Sequence, residues 1–346
     1  MAWPPERIVC LSEETAETLY LLGEEARIVG VTSYAQRPAR IRAEKPPIDV
    51  FAPDAARILS DLRPDLALAW SELQADAAAA LAPCGAATHV FNQRDVAGIL
   101  AMIRMLGAMT GAAERGAALA RRLEARIAAM RASPPARRPR VWVEEWDSPL
   151  IAGPAWVSEL VEIAGGEDVA AHLRRRRDAL DRIMSPDEVA AMRPELVIAC
   201  WRGRRARPGA VFGRPGWALT PAGRAGRLWD APATLLLAPG PAALTDGLDA
   251  IRAAVLDAAS GADPHGDERA GPSAGVSAVE AFDRDLALDL GVDLAHDRGA
   301  DLSHDGGGFG DGTGVEDAAR SSAGRGPGAG PGAKPGRGSG RAPGRP

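Results

Sequence analysis

RPDLALAW at 63–70 and RPELVIACW at 193–201 are the two stretches whose reading decides the fold. Each opens with Arg-Pro and an acidic residue, runs on as unbroken apolar sequence, and stops at a tryptophan, Trp70 in the first and Trp201 in the second. Short continuous apolar runs of this kind read as strands of a parallel sheet, buried on both faces. In open α/β sheets the C-terminal strand ends face the ligand crevice. A bulky aromatic at that end, in both halves, therefore reads as part of a ligand wall. The competing reading is that each indole plugs the top of its own sheet.

Working outward, the sequence before the first stretch alternates strand and helix: RIVCL (7–11), ETAETLYLLG (14–23) closed by Gly23, IVGVTS (28–33), and PDAARILSDL (53–62) with Pro53 at its start. ELQADAAAALAPCG (72–85) reads as a helix and THVF (88–91) as a strand. The second stretch has similar company: RVWVEEW (140–146) as strand, AWVSELVEIAGG (155–166) and SPDEVAAMRP (185–194) as helices, and LTDGLDAIRAAVLDAA (244–259) as a closing amphipathic helix. Between the halves, residues 95–132 are strong helix formers with isolated glycines, and SPPARRP (133–139) ends them. The pattern predicts two Rossmann-like α/β lobes. We expect an N-terminal lobe over 6–106, a linking helix over 107–133, a C-terminal lobe over 138–259, and a Gly/Pro/Asp/Arg-rich tail over 260–346. The tail's composition predicts disorder.

The formal net charge is −5, but residues from Gly261 onward hold 14 acidic and 9 basic side chains, so the rest is balanced. A neutral body gives no reason to expect nucleic acid or an anionic membrane as partner. Cys10, Cys84 and Cys200 are widely spaced and read as buried reduced thiols. The N-terminus enters a strand almost at once, without a basic then apolar leader, so a cytoplasmic location is expected of the sequence as written; a start further upstream would make it extracytoplasmic. No G-x-G-x-x-G follows the first strand and no phosphate-binding loop occurs.

Three further features fall where strands end. VEEWDSPLIAG (143–153) places Glu144, Glu145 and Asp147 around Trp146; no histidine or cysteine completes a metal set there, so Glu145 and Asp147 read as hydrogen-bond acceptors for a ligand. Tyr34 in VTSYAQRP follows the second strand. Ser12 in SEETAE precedes a helix N-terminus.

Taken together, RIVCLSEETAETLYLLG, IVGVTSYAQRP, RPDLALAW, PAWVSELVEIAGG, GWALTPAGRAGRLW and PGPAALTDGLDAI resemble the substrate-binding proteins of ABC importers for vitamin B12 and ferric chelates, over roughly 6–258. The resemblance implies a class III periplasmic-binding-protein fold: two lobes, one long rigid helix between them, ligand in the cleft and little closure. It is nearest to the cobalamin-binding branch. It implies that Tyr34, Trp70, Trp146 and Trp201 line the cleft with Glu145 and Asp147. It also implies docking on an ABC permease through one acidic residue per lobe. Asp76 fits that role on the first lobe, whereas the second shows RGRRARP (202–208), which is basic. The expected function is non-catalytic binding of cobalamin or a related corrinoid by a monomer, with no covalently bound cofactor and no metal site of its own. A ferric siderophore or haem is the alternative ligand. A cytoplasmic corrinoid-handling enzyme or chaperone is the alternative of another class.

Overall fold

The computed structural model describes residues 3–49, 55–71, 74, 79 and 85–261. The predicted helix over 72–85, Cys84, Asp76 and the tail beyond 261 fall wholly or mostly outside them.

The first sheet is all parallel, in the order β3-β2-β1-β4-β5: β1 is Ile8–Cys10, β2 Ile28–Thr32, β3 Pro47–Ile48, β4 Leu66–Trp70 and β5 Ala87–Phe91. The second has the order β10-β9-β6-β7, with β6 Arg140–Asp147, β7 Leu150–Ala152, β9 Leu196–Ala199 and β10 Leu228–Asp230; β8 (Glu167–Asp168) pairs with the start of β6. The fold is α/β, as the alternation predicts. The hairpin from β6 back to β7 is antiparallel, where the sequence reading of VEEWDSPLIAG had a strand end and no returning strand. The short edge strand β10 was also not predicted.

The repeated Arg-Pro-acid grammar has one structural meaning in both lobes. Arg63 and Arg193 each take a left-handed backbone conformation, φ 45° and 51°, and each ends a helix. The acidic residue two positions on ties the new strand to its neighbour. Asp65 accepts from the Glu6 and Arg7 N–H groups at 2.7 and 3.0 Å, and Glu195 accepts from the Arg140 N–H at 2.8 Å. Arg7 and Arg140 in turn donate to helix-end carbonyls, at Leu62 (2.7 Å) and Met192 (2.9 Å). The unit thus satisfies a helix C-terminus and two strand starts at once.

Between the lobes the chain forms two helices rather than one. α4 (Val96–Met109) ends at Gly111, whose φ is +78°, and α5 (Ala113–Arg131) turns back against it. The helices meet at Gly107 and Gly116: a Cβ on Gly107 would lie 2.9 Å from the Gly116 Cα. Arg104 and Glu124 close the open end at 2.7 Å. The linking helix therefore starts at 113, not 107, because residues 107–112 serve the hairpin and its turn.

One apolar cluster runs through both lobes. It holds Ile8, Leu66 and Leu68 of the first sheet, Val141, Leu196 and Ile198 of the second, and the buried faces of α4, α5, α6 (Ala155–Ile163) and α11 (Leu248–Ser260). The opposite face of the second sheet carries a separate cluster around Trp142, Val197, Ala199, Trp201 and Trp217. Cys10 and Cys200 are buried free thiols, and burial pushes the Cys10 thiol up to about 12.

Candidate functional site

All parallel strands of each sheet end on the same side, so the loops after β1, β2, β4 and β5 share an edge in the first lobe, and those after β6 and β9 share one in the second. The two edges meet at a seam. Glu13, just past β1, faces Arg202, just past β9, at 3.7 Å. Gln93, past β5, donates through Nε2 to the Pro239 carbonyl at 3.0 Å. Glu17 on α1 (Glu13–Leu21) accepts from the Ala242 N–H at 3.1 Å. Arg37 joins Glu17 (3.0 Å) to Asp246 (2.7 Å).

On the first edge, Tyr34 stands out at 52 % exposure. Arg42 lies beside it, donating to the Ser33 and Ala35 carbonyls at 3.4 and 3.2 Å. Trp70 is half-buried; its edge meets the Trp156 ring at 6.0 Å in a T-shaped contact, its Nε1–H donates to the Gln93 carbonyl at 3.3 Å, and the Arg94 guanidinium lies 4.7 Å over its face. Trp156 belongs to the other lobe, so Trp70 is placed at the seam.

The second edge is organised by a carboxylate that is completely buried. Glu144 accepts from Trp142 Nε1 (2.9 Å), Trp201 Nε1 (3.0 Å) and both Nη atoms of Arg214 (2.7 Å each). Four donors, two of them from one fork-shaped cation, compensate its loss of water. Glu145 pairs at 2.7 Å with Arg182, which is itself buried. Asp147 pairs with Arg204, whose guanidinium stacks over Trp146 (4.8 Å) and Trp201 (5.3 Å).

The carboxyls of α1 are the electrostatic oddity of the seam. Burial raises Glu13 to about 7 against the pull of Arg202 and Arg42, and raises Glu14 to about 7 despite a hydrogen bond from Ser12. Glu14 Oε1 is buried without a hydrogen-bond partner, and Gly240 presses so close that a Cβ there would sit 2.3 Å from the Glu14 Cβ.

Tyr34, Trp70, Trp146 and Asp147 thus all lie on the strand-end edges, with Trp70 at the seam. Trp201 corrects the expectation of two facing indole walls. Side chains alternate along a strand. Trp70 shares its face with Leu66 and Leu68, toward the common cluster; Trp201 shares its face with Val197 and Ala199, toward the outer one. The extra residue in RPELVIACW puts Cys200, not Trp201, in the place of Trp70. Trp201 is only 5 % exposed. Glu145 is engaged by the buried Arg182. Asp76 lies outside the described residues. The sequence reading missed Arg94 and Arg204 as partners of these aromatics; the basic run 202–208 was the one signal, and it pointed only to the second.

A family profile described as "Periplasmic binding protein" matches residues 8–235. A cobalamin-binding protein of Halobacterium salinarum is 24 % identical over 201 residues, which cover 56 % of this chain and 53 % of that protein. The chain thus spans about half the length of the curated relatives it matches. Among solved structures, the periplasmic haem-binding protein RhuT of Roseiflexus sp. RS-1 superposes with a TM-score of 0.62 at 25 % identity, covering 73 % of this chain and 99 % of its own. The periplasmic vitamin B12-binding protein BtuF of Vibrio cholerae superposes at 0.57 with 20 % identity, covering 74 % and 98 %.

Proposed function

This chain belongs to the periplasmic binding protein family, and on that footing we propose that it holds a corrinoid at the seam between its lobes, without chemically altering it. The observation that carries the proposal is selective exposure. Five of the eight tryptophans are buried and Trp3 is exposed near the N-terminus, whereas Trp70 and Trp146 are half-exposed at the strand-end edges, and Tyr34 is exposed there. Half-exposed aromatic rings, each with one face under an arginine, and the exposed Tyr34 ring suit a broad, flat ligand with apolar area. The cobalamin-binding relatives favour a corrinoid. Trp201 then acts from behind, carrying Arg204 on its face and helping to seat Glu144.

Binding without turnover is favoured by the state of the carboxylates. Glu144, Glu145 and Asp147, the groups of this edge that could move a proton, each already hold an arginine. Docking on an ABC permease is part of the proposal. It would have to accommodate the arginine-rich loop over 202–208 on the second lobe.

Titration of the corrinoid visible band with increasing protein tests the reading. One saturable equivalent of cobinamide or cobalamin per chain is expected. Haem or a ferric siderophore is the second reading, favoured by the similarity to the haem-binding structure, and haem binding with no corrinoid binding would select it. Conversion of the corrinoid, slowed by Glu145→Gln, would instead mark an enzyme.

A further inference from the structure

The loop over 33–40, which carries Tyr34, runs from β2 to the short helix Ile41–Glu44. Within its own lobe it is held by the Ser33 N–H on the Ile48 carbonyl at 2.8 Å, by the buried Ala35, and by Arg42 on the Ser33 and Ala35 carbonyls at 3.4 and 3.2 Å. Among the described residues, Arg37 alone ties this loop by a hydrogen bond or ion pair to the second lobe. Its guanidinium divides its donors: Nε reaches Glu17 of its own lobe at 3.0 Å, and Nη2 reaches Asp246 of the second lobe at 2.7 Å. Asp246 lies in a single π-helical turn, Ala243–Gly247, that leads into α11. Ala242, four residues before Asp246, gives its N–H to the other oxygen of Glu17 at 3.1 Å; an N–H at a helix start otherwise lacks a partner. The two carboxylates are nearly buried and the arginine mostly so. A buried, hydrogen-bonded ion pair holds its geometry, because breaking it strands a charge. The contact of Glu13 with Arg202 across the same seam is longer, at 3.7 Å, and Arg202 is half-exposed.

We infer that Arg37 is a positioning residue for the ligand: by clasping Asp246 it pins the Tyr34 loop to the second lobe, and the affinity for ligand depends on that clasp although the ion pair itself does not touch the ligand. The inference rests on the reading of Tyr34 as part of the ligand site at the seam. Tyr34 lies three residues before Arg37, so at most about 10 Å of chain separates the ring's residue from the clasp. The ring is exposed while Ala35 beside it is buried, so the loop offers the ring outward from a fixed backbone. An exposed ring on a free loop loses conformational freedom when a ligand covers it. A loop pinned beforehand loses less, and binding is tighter by that difference.

Asp246→Ala in the full chain cuts the clasp from the far side. It leaves Glu17 on Arg37 and on the Ala242 N–H, so the lobes stay tied. Without ligand, the variant should exchange its amide hydrogens faster over 33–40 while β1 and β4 exchange as in the parent. Unchanged exchange over 33–40 would overturn the inference whatever the ligand. Affinity is then titrated with cobinamide and with haem. Asp246→Ala should weaken binding about five-fold or more, the lower end of what coupling between separate sites usually gives. In a Tyr34→Ala background the same substitution should change affinity by less than about two-fold, because its effect runs through the ring. Equal losses in both backgrounds would overturn the inference and leave the ligand reading standing. So would a lower melting temperature with unchanged affinity, the mark of a clasp that only stabilises the fold. Asp246→Asn keeps an acceptor for Arg37 without the charge; it should show the same changes at smaller size, and it carries the test if the alanine variant does not fold. Failure of cobinamide, cyanocobalamin and haem to bind the parent would overturn the ligand reading, and this inference with it.

Discussion

Glu144 shows how a single side chain can govern a whole lobe edge. It is buried with four N–H donors, so removing it strands the Arg214 cation and two indole N–H groups. Glu144→Ala should cost about 3–5 kcal/mol, the scale for breaking a buried pair, read from the denaturant midpoint. Asp147→Asn, whose partner Arg204 is half exposed, should cost less than about 1 kcal/mol. The sequence placed both residues at a strand end, but not their difference, because burial is decided by Trp142, Trp201 and Arg214 from three separate segments. Glu14 supplies a second test at this scale. Its carboxyl is raised by burial from the ordinary 4.5 to about 7. The folded state therefore holds a proton that the unfolded chain has lost between those values, and this group's contribution to stability falls as pH rises from about 4.5 to about 7. Glu14→Gln should be more stable than the parent at pH 8, and the advantage should vanish near pH 5. An unchanged difference across that range would refute the assignment.

At the scale of elements, the repeat was the legible part. A helical run, Arg-Pro-acid and an apolar run give a helix followed by a strand, and both are local; the left-handed conformation of Arg63 and Arg193 came only with the structure. What the repeat could not give was its own register. One inserted residue moves Trp201 to the opposite sheet face, and the quoted motifs look alike whether or not the tryptophans align. The linking helix was similarly half-legible. Its composition is helical throughout 95–132, and only the close approach of Gly107 to Gly116 shows that two helices fold back on each other. Alanine is intrinsically better than glycine in a helix by about 1 kcal/mol. Gly107→Ala should nonetheless destabilise, by about 1–3 kcal/mol, since its Cβ would meet Gly116 and the Ala112 carbonyl. A stabilised variant would show that the helices do not pack as described.

At the scale of the molecule, the lobes share one apolar cluster and are cross-tied by Gln93, Glu17, Arg37 and the Trp70–Trp156 contact. Packed cores do not deform continuously, so ligand should enter without large closure. Small-angle scattering should give the same radius of gyration with and without ligand, within error; a marked compaction would indicate a hinge. The central claim is that ligand lies at the seam against Trp70, while Trp201 belongs to the interior of its lobe. Calorimetry on Trp70→Ala and Trp201→Ala, each titrated with cobinamide and haem and each melted, tests it most directly. Trp70→Ala should lose about 1–3 kcal/mol of binding, roughly a five- to more than hundred-fold weaker affinity. Trp201→Ala should instead lose about 3–5 kcal/mol of stability, the scale for emptying a core tryptophan site. The account is contradicted if Trp70→Ala binds both ligands as tightly as the parent.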